Sequence, residues 1–254
     1  TPDDMSIFID EIVGKHTSDP ISFSLPNSFK ETKINDEALS NIKIGWLSDM
    51  NGNYLYEPEI LEICNKKLIS LEKNKIKIEN LKPKIDVLKL WNCWTTIRAK
   101  SIYEDVVDMN IKDINEMTSQ AIWEYKKGIK IKEDHIQSEL NSRIELSNDL
   151  NKVFDNYDFL ALPSQQTFPF DKNLKYPEKI NNFEMDTYHR WIEVHILASL
   201  FYLPSISIPV GFNKNGFPIG IQIIGKQKED LKLFSFAKKY EEIYEYSKKK
   251  PLLN

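Results

Sequence analysis

Glycine is scarce in this sequence, with 8 residues among 254. A Gly-rich phosphate cradle is hard to build from so few, and no G-x-G-x-x-G or P-loop spacing occurs. Cysteine is scarcer still. Cys64 and Cys93 make no disulfide framework, and without C-x-x-C spacing they make no zinc ribbon. Long apolar runs are missing, since none reaches the roughly eighteen residues of a membrane-spanning helix. No secretory leader is visible, so a reducing, cytoplasmic setting is the expectation. Charge of one sign is missing too: 34 basic against 38 acidic residues leave a net charge of -4. That balance carries no nucleic-acid footprint. The basic run Lys248-Lys249-Lys250 falls where a last helix ends, and cations suit the dipole there.

What is present is enough apolar material for a core, 41% of the residues, in alternating helical and extended patterns. The spacing predicts a helix over 4–13, with Met5, Phe8, Ile9, Ile12 and Val13 on one face, then a polar loop through Pro20 and Pro26. It predicts a strand over 42–47, a helix from Pro58 to about 73, and an edge-like strand over 75–80. A strand–helix–strand unit of this kind makes part of the sheet parallel. Residues 84–155 read as helices over about 84–107, 111–126 and 133–155. A buried strand over 158–163 ends in proline. Residues 164–184 show no regular period. A helix over 187–202 follows, with Asp186 as its N-cap. Then come a hairpin over 203–226, turning at 213–216, and an amphipathic helix over 229–247. The class is α/β with a mixed sheet flanked by helices.

The hairpin is unusual. Ser205, Ser207, Pro209 and Gly211 alternate with Ile206, Ile208, Val210 and Phe212. A strand with one small-residue face admits close approach by a helix or a neighbouring backbone, and Pro209 places it at an edge or a bulge. Ser205 and Ser207 lie near His189 and His195 in sequence. Without a G-x-S-x-G elbow, packing explains the serines better than catalysis does. His189 and His195 fall about 240° apart around a helix, so they do not converge on a metal. His189 and Glu193 fit a helix-surface pair instead. The loop "LPSQQTFPFD" leaves the carboxyl end of a buried strand, where ligands bind in open α/β sheets. Gln165 and Gln166 beside Phe168 suit a pocket wall.

Several segments together carry a resemblance. "TPDDMSIFIDEIVGKHTSDP" is similar to a helix of the form T-x-x-D-M-A-L-L-L-x-x-x-x-G-x-D-x-x-D-P. "DFLALPSQQTFPFD" is similar to a D-x-L-x-x-P strand and pocket loop. "LPSISIPVGFNKNGFPIGIQIIG" is similar to G-L-P-x-x-S-x-P-x-G-F-x-x-x-G-L-P-x-G-x-Q-x-x-G. The whole chain resembles, in order, the C-terminal half of the amidase signature family of serine amidohydrolases. The resemblance implies a mixed-sheet core incomplete at its N-terminal side, with 84–155 as a variable helical region of one domain. It implies hydrolysis of a carbon–nitrogen amide bond through a serine acyl-enzyme, without cofactor or metal.

The family's Ser–cis-Ser–Lys triad and its Gly-Gly-Ser-Ser-Gly-Gly stretch would fall before Thr1, and no such stretch occurs here. No residue is therefore assigned as nucleophile, base or oxyanion donor, and these 254 residues alone are expected to be inactive. Starting at Thr1 directly in a helical pattern, the chain reads as one that begins inside a larger unit. Half a sheet would leave an unpaired edge, so the isolated chain is expected to aggregate. Candidate substrate contacts are Gln165, Gln166, Phe168, Tyr188 and Trp191. The expected partner is a small-molecule amide, with no nucleic acid and no membrane; a homodimer is left open. Two alternatives stay beside this reading: a non-catalytic binding homologue, and a glutamine-hydrolysing transamidase component. "TYHRWIEVH" is more similar to stand-alone amidases, which places the transamidase lower.

Overall fold

The computed structural model describes residues 1–249, so Lys250 of the basic run lies outside the described residues. The chain opens with α1 (Pro2–Ile12), which starts earlier than the apolar pattern predicts. Thr1 and Asp4 form a reciprocal capping box, and Pro2 fits the first helical turn. The apolar face of α1 is not buried: Met5, Phe8, Ile12 and Val13 are exposed. The helix is held by its polar side instead. Asp10 accepts hydrogen bonds from the backbone N–H of Phe29 and Lys30, and Lys238 pairs with Asp3. A short α2 (Asp36–Ser40), absent from the periodicity, is capped by the Asn35 side chain accepting from the Ala38 N–H.

Strand β1 (Lys43–Trp46), helix α3 (Ile60–Leu71) and strand β2 (Lys77–Asn80) form the predicted unit, and β1 and β2 pair in parallel. Helix α3 buries Ile60, Cys64, Leu68 and Leu71, while Ile69 faces solvent. Three helices follow: α4 (Val87–Asp108), α5 (Ser119–Gly128) and α6 (Glu133–Phe154). Helix α4 packs against both others.

The chain re-enters the sheet as β3 (Phe159–Pro163), parallel to β1. All five β3 residues are buried, the continuous apolar run of a strand covered on both faces. The segment 164–184 contains a two-residue ladder, β4 (Lys179–Ile180) with β5 (Phe183–Glu184), too short for any period to reveal. The helix expected over 187–202 is broken. Arg190–His195 is a 3-10 turn with Ile192 out of helical geometry, and only α7 (Ile196–Leu200) is α-helical. Asp186, expected as an N-cap, instead takes the guanidinium of Arg190 on both oxygens, at 3.0 and 2.8 Å.

Strands β6 (Ser205–Phe212) and β7 (Pro218–Gly225) form the predicted antiparallel hairpin. The sheet order is β2-β1-β3-β7-β6, with β7 antiparallel to β3. Strand β6 is an edge, with a register shift between Pro209 and Gly211 where proline offers no N–H. Its Ser205, Ser207 and Pro209 are exposed while Ile208 and Val210 are buried. The close packing expected on the small face is therefore not found among the described residues. Helix α8 (Asp230–Tyr244) packs on the hairpin, stopping three residues before its expected end, where Glu245 turns left-handed.

Both cysteines are buried thiols. Burial pushes the Cys64 thiol up to about 12, and burial with nearby Glu139 pushes Cys93 up to about 11. Thiolate is the reactive form. Ellman's reagent should therefore label neither in the folded chain and both after denaturation; rapid labelling before unfolding would place a thiol at the surface.

Candidate substrate-binding site

The loop leaving β3 turns at Pro163 and lines a cavity of about 520 Å³ with β6, β7 and the 3-10 turn. That volume is within the usual range for small-molecule sites, roughly 300–1,000 Å³. Its position outside the carboxyl end of β3 is where open sheets bind ligands.

The floor is polar and uncharged. Ser164 N–H donates to the Gly220 carbonyl at 2.9 Å, continuing the β3–β7 ladder by one residue. This sets the Ser164 hydroxyl 2.6 Å from the Ser207 hydroxyl. Both sit over Gly220, where a Cβ would lie 2.8 Å from Ser207 Oγ and 2.9 Å from Ser164 Oγ. Glycine at 220 is what lets the two hydroxyls meet. His195 Nε2 lies 2.6 Å from the Ser164 carbonyl oxygen, which fixes Nε2 as the protonated, donating nitrogen.

The walls are aromatic. Phe170 and Trp191 meet edge to face with ring centroids 5.4 Å apart, and Phe168, Pro169, Pro209, Pro218 and Ile219 complete the apolar lining. The loop is pinned from below. Glu57 N–H donates to the Gln166 carbonyl at 2.9 Å, and the Glu57 carboxylate accepts from the Phe168 N–H at 2.7 Å.

Gln165, Phe168 and Trp191, three of the residues named from sequence, lie together on this cavity. Gln166 does not line it: the side chain is fully buried and donates from Nε2 to the Leu55 carbonyl at 3.0 Å. The chain bends at Ser164, Gln166 and Thr167 after β3 ends, and the two neighbouring amides part. Tyr188 also lies elsewhere, its hydroxyl donating to Glu124 Oε2 at 2.6 Å.

Tyr188 belongs to a buried charged cluster that sequence reading missed. Glu124, on α5, is 2% exposed. It receives Arg98 Nε from α4 at 2.6 Å and the Tyr188 hydroxyl, and His189 Nε2 stands 3.2 Å from Oε1. Burial pushes the Glu124 carboxyl up, but His189, Tyr188 and Arg98 outweigh it, leaving its pKa below the ordinary value. Burial and then Glu124 push the Tyr188 hydroxyl well up, so it stays a donor. His189 packs edge to face on Trp94 at 5.0 Å. It faces Glu124, not Glu193 as helical spacing predicts, because the 3-10 turn changes the angle between them. Glu193 is instead bound by Arg190 at 2.9 Å, and burial raises its pKa despite that partner. The Arg190 guanidinium also lies 3.5 Å over the Trp91 ring. The start of the 3-10 turn carrying Trp191 is thus tied to α4 through Arg190 and Trp91, and the residue before it to α5 through His189 and Glu124.

Of the residues now on the cavity, Ser164 gave a usable signal, standing directly between strand-ending Pro163 and Gln165. Glu124 and Arg98 gave none, since they meet across two helices 26 positions apart.

Among the described residues no group of three or more His, Cys, Asp or Glu side chains is placed to hold a metal. Among them, too, no helix is long and apolar enough to cross a membrane.

A mixed sheet flanked by helices is the fold this chain shares with solved amidase-signature enzymes. The chain superposes on a bacterial aryl acylamidase of that family with a TM-score of 0.81 and 20% identity, covering 99% of this chain and 54% of the other. It superposes on a glutamyl-tRNA(Gln) amidotransferase subunit from Thermotoga maritima with a TM-score of 0.69 and 22% identity, covering 95% and 51%. A family profile described as Amidase matches residues 3–234, and the chain belongs to that family.

In sequence, the chain is 32% identical over 111 residues to the corresponding glutamyl-tRNA(Gln) amidotransferase subunit of Thermodesulfovibrio yellowstonii, covering 44% of this chain and 22% of the relative. Over 111 residues it is 35% identical to the Bacillus thuringiensis protein of the same name, with the same coverage. The chain spans about half the length of the solved relatives, and its matched segment about a fifth of the curated ones.

Proposed function

We propose that this chain forms the substrate-binding side of an amidase that hydrolyses a carbon–nitrogen amide bond through a serine acyl-enzyme. Nucleophile, base and oxyanion donors come from amidase fold outside these 254 residues. The observation that carries the reading is the family match over 3–234 combined with a cavity at the end of β3, floored by neutral hydrogen-bonding groups. In the reaction, the serine oxygen bonds to the carbonyl carbon and the carbon–nitrogen bond breaks. The serine proton passes through the base to the leaving amine. Water then attacks the ester, releasing the acid and restoring the serine. The residues described here do no proton transfer in this scheme. The Ser164 and Ser207 hydroxyls hydrogen-bond a neutral polar group, and the aromatic walls exclude water and hold the substituent beside it.

Labelling with a fluorophosphonate tests this on the protein expressed from its complete reading frame. One serine outside these residues should be labelled, with loss of turnover on a panel of simple amides. A protein that is neither labelled nor active on any amide is a binding homologue, and the proposal fails.

The curated relatives support a second reading, a glutamine-hydrolysing component that passes ammonia to a partner. Glutaminase activity appearing only with a partner protein would identify it.

A further inference from the structure

Trp191 stands on the cavity wall, its ring edge to face with Phe170. The three residues before it point elsewhere. The Tyr188 hydroxyl donates to Glu124 Oε2 at 2.6 Å, and His189 Nε2 stands 3.2 Å from Glu124 Oε1. The Arg190 guanidinium lies over Trp91 and pairs with Asp186 and Glu193. A helix could not arrange them this way. At about 100° per residue, Tyr188 and Trp191 would fall roughly 60° apart and share a face. Here one turns to α5 and the other into the cavity.

Local sequence does not force that break. Residues 186–189, the strap leading into the 3-10 turn, are bends and turns. No side chain caps the 3-10 turn, and no glycine or proline stands between Asp186 and Leu203 to interrupt a helix. The apolar period there favours one. What opposes the helix is the buried end of the strap. His189 is 3% exposed, its ring 3.8 Å from the Tyr188 ring and edge to face on Trp94. Arg98 Nε closes the Glu124 carboxylate at 2.6 Å. Glu124, Arg98, Tyr188 and His189 all lie off the cavity lining, so the anchor belongs to α4 and α5.

We infer that Glu124 and Tyr188 are positioning residues for the cavity: the buried carboxylate holds the strap out of helical geometry, and that hold fixes Trp191 in the wall. The Tyr188 hydroxyl is the link most cleanly cut. Tyr188→Phe removes one hydrogen bond and keeps the ring against Trp123 and His189. The strap then relaxes toward a helix and carries Trp191 away from Phe170. The effect on turnover rests on the amidase reading above; the placement of Trp191 does not.

Fluorine NMR of the protein from its complete reading frame, labelled with 5-fluorotryptophan, tests the placement. Trp191→Phe assigns the Trp191 line among those of the other tryptophans. That line should shift in Tyr188→Phe and in Glu124→Gln. It should stay in place in Leu39→Ala, which destabilises the fold by emptying a buried site on α2, beside Lys73 and Ile243. A Trp191 line unmoved in either strap variant, or moving as far in Leu39→Ala, overturns the inference.

Kinetics on the amide turned over fastest in the panel test the consequence. Tyr188→Phe should lower kcat/KM about tenfold, since a misplacement of about 1 Å can cost up to about a hundredfold. In a Trp191→Ala background the same change should cost nothing further, because the group it positions is gone. A merely stabilising role leaves kcat/KM unchanged, or lowers it by one factor in both backgrounds; either result overturns the inference and leaves the amidase reading standing. If no amide is turned over, the amidase reading fails, and the Trp191 line alone decides the placement.

Discussion

Replacing Glu124 with leucine should lower the midpoint of thermal unfolding by about 10 °C. The carboxylate is 2% exposed and serves three partners on two other segments: Arg98 from α4, and Tyr188 and His189 from the strap before the 3-10 turn. Removing it leaves a guanidinium and a phenol hydroxyl without an acceptor, and a lone buried partner costs about 3–5 kcal/mol. The Arg98 side chain is 41% exposed, so water recovers part of that loss and the lower end applies. For a chain of this size each kcal/mol moves the midpoint by about 2–4 °C. Glu124→Gln keeps an acceptor oxygen and should lose about half as much. Differential scanning calorimetry on both variants checks this. A leucine variant within about 2 °C of the parent would mean that the cluster contributes nothing net.

The effect has a pH signature. The Glu124 pKa lies below its ordinary value of 4.5, so the carboxylate stabilises the fold above that pH. The contribution disappears as pH falls through the lowered value. The gap between parent and leucine variant should therefore be full at neutral pH and close on acidification below about 4.5. A gap that widens in acid would assign the wrong sign to the cluster.

Why this cluster was illegible from sequence is instructive beside what was legible. The sheet follows from local patterns. "DFLALP" reads as a buried strand because its apolar run ends in proline, and all five β3 residues are buried. Pro209 marks β6 as an edge because it cannot donate, and the register shift stands beside it. Both inferences use only the backbone chemistry of a few adjacent residues. The strap is different. "TYHRWIEVHILASLFY" has an apolar helical period, and helix propensity favours one long element. Two opposing demands break it: Tyr188 and His189 turn toward Glu124, while Arg190 turns back to Asp186 and Glu193. Tertiary contacts of this kind override propensity, and nothing local announces them.

The cavity falls between these cases. Its place after β3 and its aromatic content are readable in "LPSQQTFPFD". That Gln165 and Gln166 separate, and that Ser207 arrives from another strand to meet Ser164, depends on the β6–β7–β3 register. The exposed apolar face of α1 shows the converse: Met5, Phe8 and Ile12 have the period of a buried helix, but among the described residues nothing covers them.

Helix α5 bears a second constraint four residues beyond Glu124, and Gly128→Ala should cost about 3 kcal/mol. On helical propensity alone the change is favourable by up to about 1 kcal/mol. The geometry reverses it. A Cβ on Gly128 would lie 2.1 Å from the Ala99 carbonyl oxygen and 2.7 Å from Tyr103 Cβ, both parts of α4 close to its backbone. Neither is the far end of a flexible side chain, so the helices themselves must move apart, and overpacking of this order costs about 1–3 kcal/mol or more. Separation would also draw Glu124 from Arg98, because the two contacts join the same pair of helices. The two substitutions should therefore not add. In Gly128→Ala the further loss from Glu124→Leu should shrink by about 1 kcal/mol or more, the coupling expected of groups on one moving element. A double-mutant cycle in urea measures it. Strict additivity would show that α5 is held to α4 at two independent points, and that alanine at 128 is accommodated without disturbing the charged cluster.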